Sequence, residues 1–425
     1  MSHDDLITND ERIDLPSRRK FLRNSILLAG AAGASGMLGG LSTGVWAAGS
    51  DAPEKTEVKV GFIPLTDCAS IVVAAEMGFD KKYGIKITPS KEASWAGVRD
   101  KLTNGELDAS HVLYGLIYAL QLGTGGPQKD MAVLMNLNNN GQAITLSSQL
   151  LDKGVKDGAS LKKVIDSKDR EYTFAQTFPT GTHAMWLNYW LAAGGVDPIK
   201  DVKSITVPPP QMVANMRVGN MDGYCVGEPW NARAVMDKIG YTVNTTQDIW
   251  VDHPEKVLGC TAEFVQKNPN TARALIMAVL DASMYIDDMK NRAAIAALIA
   301  QKAYVNAPED AVLGRFTGEY DNGAGKTWKD SNFMKFYNGG KTNYPYLSDG
   351  MWFLTQHKRW GMLTMEPDYL AVAKKVNQID LYTQAATQLK VPLPTSPMRS
   401  STLMDGKVWD GSNPSAYAAS FAIKA

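Results

Sequence analysis

From 57 to 64 the chain reads Glu-Val-Lys-Val-Gly-Phe-Ile-Pro, a polar and β-branched alternation with the period of a half-buried strand. The pattern then predicts a helix over 71–77, a strand over 83–87, a helix over 94–102 and a strand over 110–113. Strands alternating with helices at this spacing predict a parallel sheet in an α/β fold. A second round follows, with a strand at 172–175, a helix at 183–193 and a strand at 204–207 running into Pro208. The rounds share a phrase. Leu102-Thr-Asn-Gly105-Glu-Leu-Asp108 before His111 matches Met216-Arg-Val-Gly219-Asn-Met-Asp222 before Cys225, each reading as helix, terminating Gly and strand. One such phrase per round predicts two similarly built lobes, 57–145 and 146–248. The run 257–264 reads as a strand returning to the first lobe. After it, 269–304 is helical, with Pro269 at its start, and the tail to 425 is mixed.

Ahead of this body, Arg18-Arg19-Lys20-Phe21-Leu22 precedes an uncharged Ala/Gly-rich stretch ending at Val45-Trp46-Ala47-Ala48. That pattern predicts a cleaved twin-arginine export signal over 1–47 and a periplasmic mature protein. No Cys lies near the cleavage site, so a lipoprotein anchor is not expected. Two α/β lobes joined by crossovers leave a cleft, where ligand sites favour helix N-termini and strand ends.

Composition removes alternatives more than it adds. With 44 basic and 44 acidic side chains the net charge is zero, which excludes a nucleic-acid binder that needs a basic face. The three cysteines, Cys68, Cys225 and Cys260, form no disulfide framework and no metal-ligand spacing. The five histidines include no pair four residues apart, so neither a zinc site nor another metal is expected. Gly40-Leu-Ser42-Thr-Gly44 falls inside the export signal, and the chain has neither G-x-G-x-x-G nor a complete phosphate-binding loop. No cofactor is therefore expected.

Five positions at strand ends or helix starts carry hydrogen-bond donors: Trp95, Gln142, His183, the backbone of Gly227, and Lys256. Taken singly each has an ordinary reading, Trp95 as one of ten tryptophans in a core and Lys256 as a surface lysine. The strings FPTGTHAMWLNYWLAAGG (178–195), VPPPQMVANM (207–216), YCVGEPW (224–230) and DHPEK (252–256) resemble the nitrate- and bicarbonate-binding family of ABC-transporter solute-binding proteins. The resemblance implies the type II periplasmic binding-protein fold, two α/β lobes around a ligand cleft. It also implies that these five residues hold nitrate, and that no reaction is catalysed. The implied partners are nitrate or a similar small anion, an ABC permease with its ATPase subunits, and the twin-arginine export machinery.

Nitrate accepts hydrogen bonds and donates none, so a set of donors suits it, with the ammonium offsetting the cost of burying an anion. In the bicarbonate branch the lysine position resembles a glutamate, with calcium assisting. Here Glu255 precedes Lys256, and the ungapped string favours Lys256 at the ligand. On this reading Lys256→Glu abolishes anion binding and leaves the stability of the free protein nearly unchanged. Two further readings stay open: a bicarbonate or other small-anion binder of the same family, and an exported redox enzyme, for which twin-arginine export would be apt.

Overall fold

The structure, a computed structural model, describes residues 51–425. The expected export signal lies outside the described residues.

Ten strands build two five-stranded sheets. β1 (Glu57–Phe62), β2 (Lys86–Lys91), β3 (Ala109–Leu113) and β4 (Met131–Asn136) precede β5 (Gln142–Ser147) and β6 (Thr173–Gln176). β7 (Lys203–Thr206), β8 (Gly223–Gly227), β9 (Gly240–Thr245) and β10 (Lys256–Thr261) follow. The first sheet runs β2-β1-β3-β10-β4 and the second β7-β6-β8-β5-β9. Position by position these are the same order, and the two occurrences of the shared phrase enter β3 and β8, third in each sheet. Gly105 and Gly219 both take the left-handed conformation that ends the preceding helix (φ 83° and 78°).

The predicted parallel sheet holds for the first three strands of each lobe: β1 pairs parallel with β2 and β3, and β6 with β7 and β8. The fourth strand of each sheet runs antiparallel, because it arrives from the other lobe. β10 returns to pair with β3 and β4, as the sequence predicts, while β5 crosses to pair with β8 and β9. β5 therefore belongs to the second lobe, and the expected change of lobe after 145 moves back to the connection 137–141. The second connection, 250–255, runs beside it through an antiparallel bridge between Asn139 and Pro254.

The strands are almost wholly buried where a helix covers each face. β3, β4, β5 and β8 have no exposed residue, and their Val, Leu, Met and Cys side chains fill the layer between sheet and helices. Cys225 and Cys260 are buried strand residues with free thiols. The aromatic helix Thr182–Ala193 points Trp186 and Trp190 inward. Trp186 stacks on Trp352 at 4.7 Å and meets Trp250 edge-on, so its aromatic face is core, as expected.

The predicted helix 269–304 is two helices, Pro269–Asp287 and Met289–Ala300, broken where Asp288 caps the second. Asp287, at the break, accepts from the backbone N–H groups of Phe336, Tyr337 and Asn338 and from buried Arg292. The tail thus has a place. Helix Glu309–Phe316 packs on Trp230–Met236 of the second lobe, and helix Leu347–Arg359 packs on Tyr114–Gln121 of the first. The stretch between lies along the crossovers: Lys335 pairs backbone to backbone with Asn139, and its ammonium is 2.7 Å from Asp252.

Candidate functional site

The strand ends and helix starts singled out in the sequence converge where the crossovers enter the sheets. Lys256 is the first residue of β10 and Gln142 the first of β5. Gly227 ends β8 and stands directly opposite Gln142 in the ladder. Trp95 opens the helix Trp95–Thr103, capped by Ser94, whose hydroxyl accepts from Gly97 N–H. His183 lies in the first turn of the helix Thr182–Ala193. The lobes touch here. Thr66 N–H donates to Glu228 O at 2.7 Å, and Trp230 Nε1–H donates to Pro64 O at 2.9 Å. A side chain at Gly227 would place its Cβ 3.2 Å from Leu65 and 3.4 Å from Asp67 Oδ2, so the two lobes approach closely here and a larger residue would have to push the Leu65 side chain aside.

Trp95, His183 and Lys256 are brought together, all buried. The Lys256 ammonium lies 5.7 Å from the Trp95 ring centroid and 3.4 Å from His183 Nε2. Gln142 is close in the ladder, but its amide faces the crossover: it donates to Asn140 O at 2.9 Å and accepts from Thr246 Oγ1 at 3.2 Å.

The expected donor-only set is incomplete. Lys256 Nζ donates to Asp67 Oδ2 at 2.8 Å and to Glu255 Oε1 at 2.7 Å, and neither carboxylate has any exposure. Glu255 and Lys256 are both buried and bonded to each other, so burial does not choose between them. Asp67, in the turn after β1, also takes a hydrogen bond from His111 Nε2 at 2.6 Å. Glu255 accepts from Trp186 Nε1 at 2.9 Å and is 3.1 Å from His183 Nε2. Asp67 and His111 were not singled out as site residues in the sequence. His111 sits in the repeated phrase and Asp67 follows the end of β1, and those positions were the available signal.

Burial alone would raise both acids. Lys256 and then His111 hold Asp67 far below the carboxylate range, and Lys256 and then His183 bring Glu255 to about 2. Burial pulls Lys256 down, but Asp67 and Glu255 outweigh it and keep the ammonium charged. Burial, together with Lys256, lowers His183, and burial lowers His111. With neutral histidines the cluster carries two negative charges and one positive. This overturns the expected indifference of stability to Lys256→Glu, because that change would bury three carboxylates with no cation among them. Among the described residues no three His, Cys, Asp or Glu side chains are grouped to hold a metal ion. Between Asp67 and Glu255 stands the ammonium.

Among the buried atoms at this place without a partner are the indole N–H of Trp95 and Nδ1 of His111, whose rings lie 5.8 Å apart. A buried N–H without an acceptor is costly unless something supplies one. The arrangement is a buried, unsatisfied donor on a ring 5.7 Å from a charged lysine, a donor that a small anion could meet.

Comparison with known proteins agrees with this geometry. The profile of the NMT1-like family matches residues 51–300. The nitrate/nitrite binding protein NrtA of Synechocystis sp. is 41% identical over 88% of this chain and 87% of its own length. The bicarbonate-binding protein CmpA of Synechococcus elongatus is 32% identical over 89% of each chain. The crystal structure of the periplasmic nitrate-binding protein NrtA from Synechocystis superposes with a TM-score of 0.85, at 41% identity, covering 88% of this chain and all of that one. The expected two-lobed binding-protein fold is the fold of this chain. Sequence and fold place it together: the chain belongs to the NMT1-like family, among the relatives of the nitrate/nitrite-binding and bicarbonate-binding proteins.

Proposed function

We propose that this protein is a periplasmic solute-binding protein of an ABC importer that holds nitrate between its lobes and delivers it to a permease and its ATPase subunits. Trp95, Gln142, His183, the backbone of Gly227 and Lys256 are the proposed ligand residues, and the protein performs no catalysis. The observation that carries this reading is the buried, unpartnered Trp95 N–H beside the Lys256 ammonium, a donor waiting for an acceptor that brings no hydrogen of its own. The relatives named for nitrate and nitrite binding support the same ligand.

Titration calorimetry tests it. Nitrate is expected to bind far more tightly than millimolar, whose free energy is only about −4 kcal/mol. Trp95→Phe keeps an aromatic side chain, though a smaller one, and removes the N–H. The variant is expected to bind nitrate about tenfold more weakly, a loss of about 1.4 kcal/mol, while the free protein stays folded with a thermal midpoint lowered only by the lost packing volume. Nitrate binding that is millimolar or weaker, or unaffected by this change, refutes the reading.

Bicarbonate is the second reading, favoured by Asp67 and Glu255. A carboxylate can accept the hydroxyl hydrogen that bicarbonate carries and nitrate lacks. Tighter binding of bicarbonate, with or without calcium, than of nitrate would establish it. Residues 1–47 are proposed to direct twin-arginine export with cleavage near Ala47. An exported protein whose amino terminus begins near Ala48 is the expected result, and a retained leader refutes it.

A further inference from the structure

The lysine at the centre of the site has no hydrogen to spare. Its three N–H groups face Asp67 Oδ2 at 2.8 Å, Glu255 Oε1 at 2.7 Å and His183 Nε2 at 3.4 Å. An anion can gain a hydrogen bond from Lys256 only if one of these is given up, and the longest is the one to His183. The same His183 nitrogen lies 3.1 Å from Glu255 Oε1. One ring nitrogen cannot serve both neighbours: without a hydrogen it accepts from Lys256, and with one it donates to Glu255.

The other ring nitrogen, Nδ1, is 2.7 Å from Thr177 Oγ1, a hydroxyl able to donate or accept. A doubly protonated His183 therefore finds an acceptor at each nitrogen with the heavy atoms where they stand. His111 differs. Its Nε2 is bonded to Asp67, but its Nδ1 is buried without a partner, so a second proton there would be an orphan donor. The charged and titratable groups around His183 come from three places: Lys256 at the start of β10 with Glu255 just before it, Asp67 from the turn after β1, and neutral His253, which is 3.9 Å from Glu255 on its far side.

Charge sets the direction. Asp67, Glu255 and Lys256 sum to one negative charge in a site with no solvent contact, and a bound monoanion would make it two. A second uncompensated buried charge costs several kcal/mol. A proton on the ring that already has two acceptors cancels it.

We propose that the anion is captured together with one proton from solvent, which His183 takes up: Nε2–H then donates to Glu255 and Nδ1–H to Thr177, so that His183 serves the anion through its charge rather than through a direct hydrogen bond, and the released Lys256 N–H turns to the anion. The proposal rests on the anion-binding reading above. Burial and Lys256 keep His183 neutral in the free site near pH 7, so the proton has to be acquired on binding. Proton uptake means that binding weakens as pH rises between the free and the bound ionisation of the ring.

The test is calorimetric titration of the mature chain with sodium nitrate in buffers of different ionisation enthalpy, at about pH 7.5 and at neighbouring values. About one proton is expected to be taken up per nitrate, with Kd rising about tenfold per pH unit across that window. His183→Asn is expected to bind more weakly with a proton count near zero. Thr177→Val, which keeps the side-chain shape and removes the Nδ1 acceptor, is expected to lower the count as well. His111→Gln is expected to leave it at one. Tight nitrate binding with no proton exchange overturns the proposal and leaves the nitrate reading intact, as does a full proton count in His183→Asn. Absence of nitrate binding at every pH overturns the nitrate reading, and this proposal with it.

Discussion

Replacing Lys256 with Met is expected to abolish anion binding and to destabilise the free protein by about 3–5 kcal/mol, the typical result of removing one partner from a buried ion cluster. The side chain has no solvent exposure and its charge is shared by Asp67 and Glu255, both equally buried. Methionine fills nearly the same volume, so packing is spared and the loss is electrostatic. His111 beside Asp67, and His183 and Trp186 beside Glu255, would still support the acids, which is why folding is expected to survive. Chemical denaturation of the free protein reads the loss, and nitrate titration reads the binding. The double change Lys256→Met with Asp67→Asn removes one stranded charge. It is expected to recover much of the stability and none of the binding. A single variant as stable as the parent would mean that the lysine does not neutralise these acids.

Arg315→Met is expected to cost a similar 3–5 kcal/mol, for a reason that lies outside the ligand site. Arg315, on the helix Glu309–Phe316, places Nη1 2.6 Å from Glu228 Oε1, and donates through Nη2 to Thr242 Oγ1 at 2.7 Å and Asp321 O at 3.1 Å. Both partners are almost fully buried. Without the guanidinium, the Glu228 carboxylate keeps, among the described residues, the Ala232 N–H at 3.1 Å. Glu228 directly follows Gly227, and its carbonyl accepts the Thr66 N–H across the lobes, so anion affinity is expected to fall along with stability. Pairing the change with Glu228→Gln removes the stranded charge and is expected to restore most of the loss in a denaturation experiment. If Arg315→Met alone unfolds at the parent's denaturant concentration, the tail is not bound to the second lobe by this pair.

The two variants differ in what the sequence foretells about them. Lys256 stands in a recognisable string at the start of a strand, so its importance is readable from the chain. Arg315 lies in the mixed tail, where no periodicity or motif marks it, and its partner is 87 positions away. The same distance problem hid the acids of the site. Asp67 and Lys256 are 189 positions apart, and nothing in local pattern tells a chain which carboxylate will be buried against which lysine. Local grammar also misjudged continuity at 288. The helical periodicity runs on through 269–304, whereas the first helix ends at Asp287, whose carboxylate accepts from the 336–338 backbone, and Asp288 caps a new helix.

What the sequence by itself determined is whatever depends on neighbours within a turn or a strand: the alternation that makes β1, the Gly that ends each helix before β3 and β8, and the two-lobed repeat. It also placed donors at strand ends and helix starts, and there Trp95, His183 and Lys256 do converge. Only the tertiary structure decided the charge of the site. Burial removes water from Asp67, Glu255 and Lys256 together, and once water is gone each ion's state is set by the others rather than by its own chemistry. A list of donors read along the chain could name the lysine. That its hydrogens are already committed, and that His183 holds the means to release one, follows from which side chains the two crossovers bring within 3.5 Å of it.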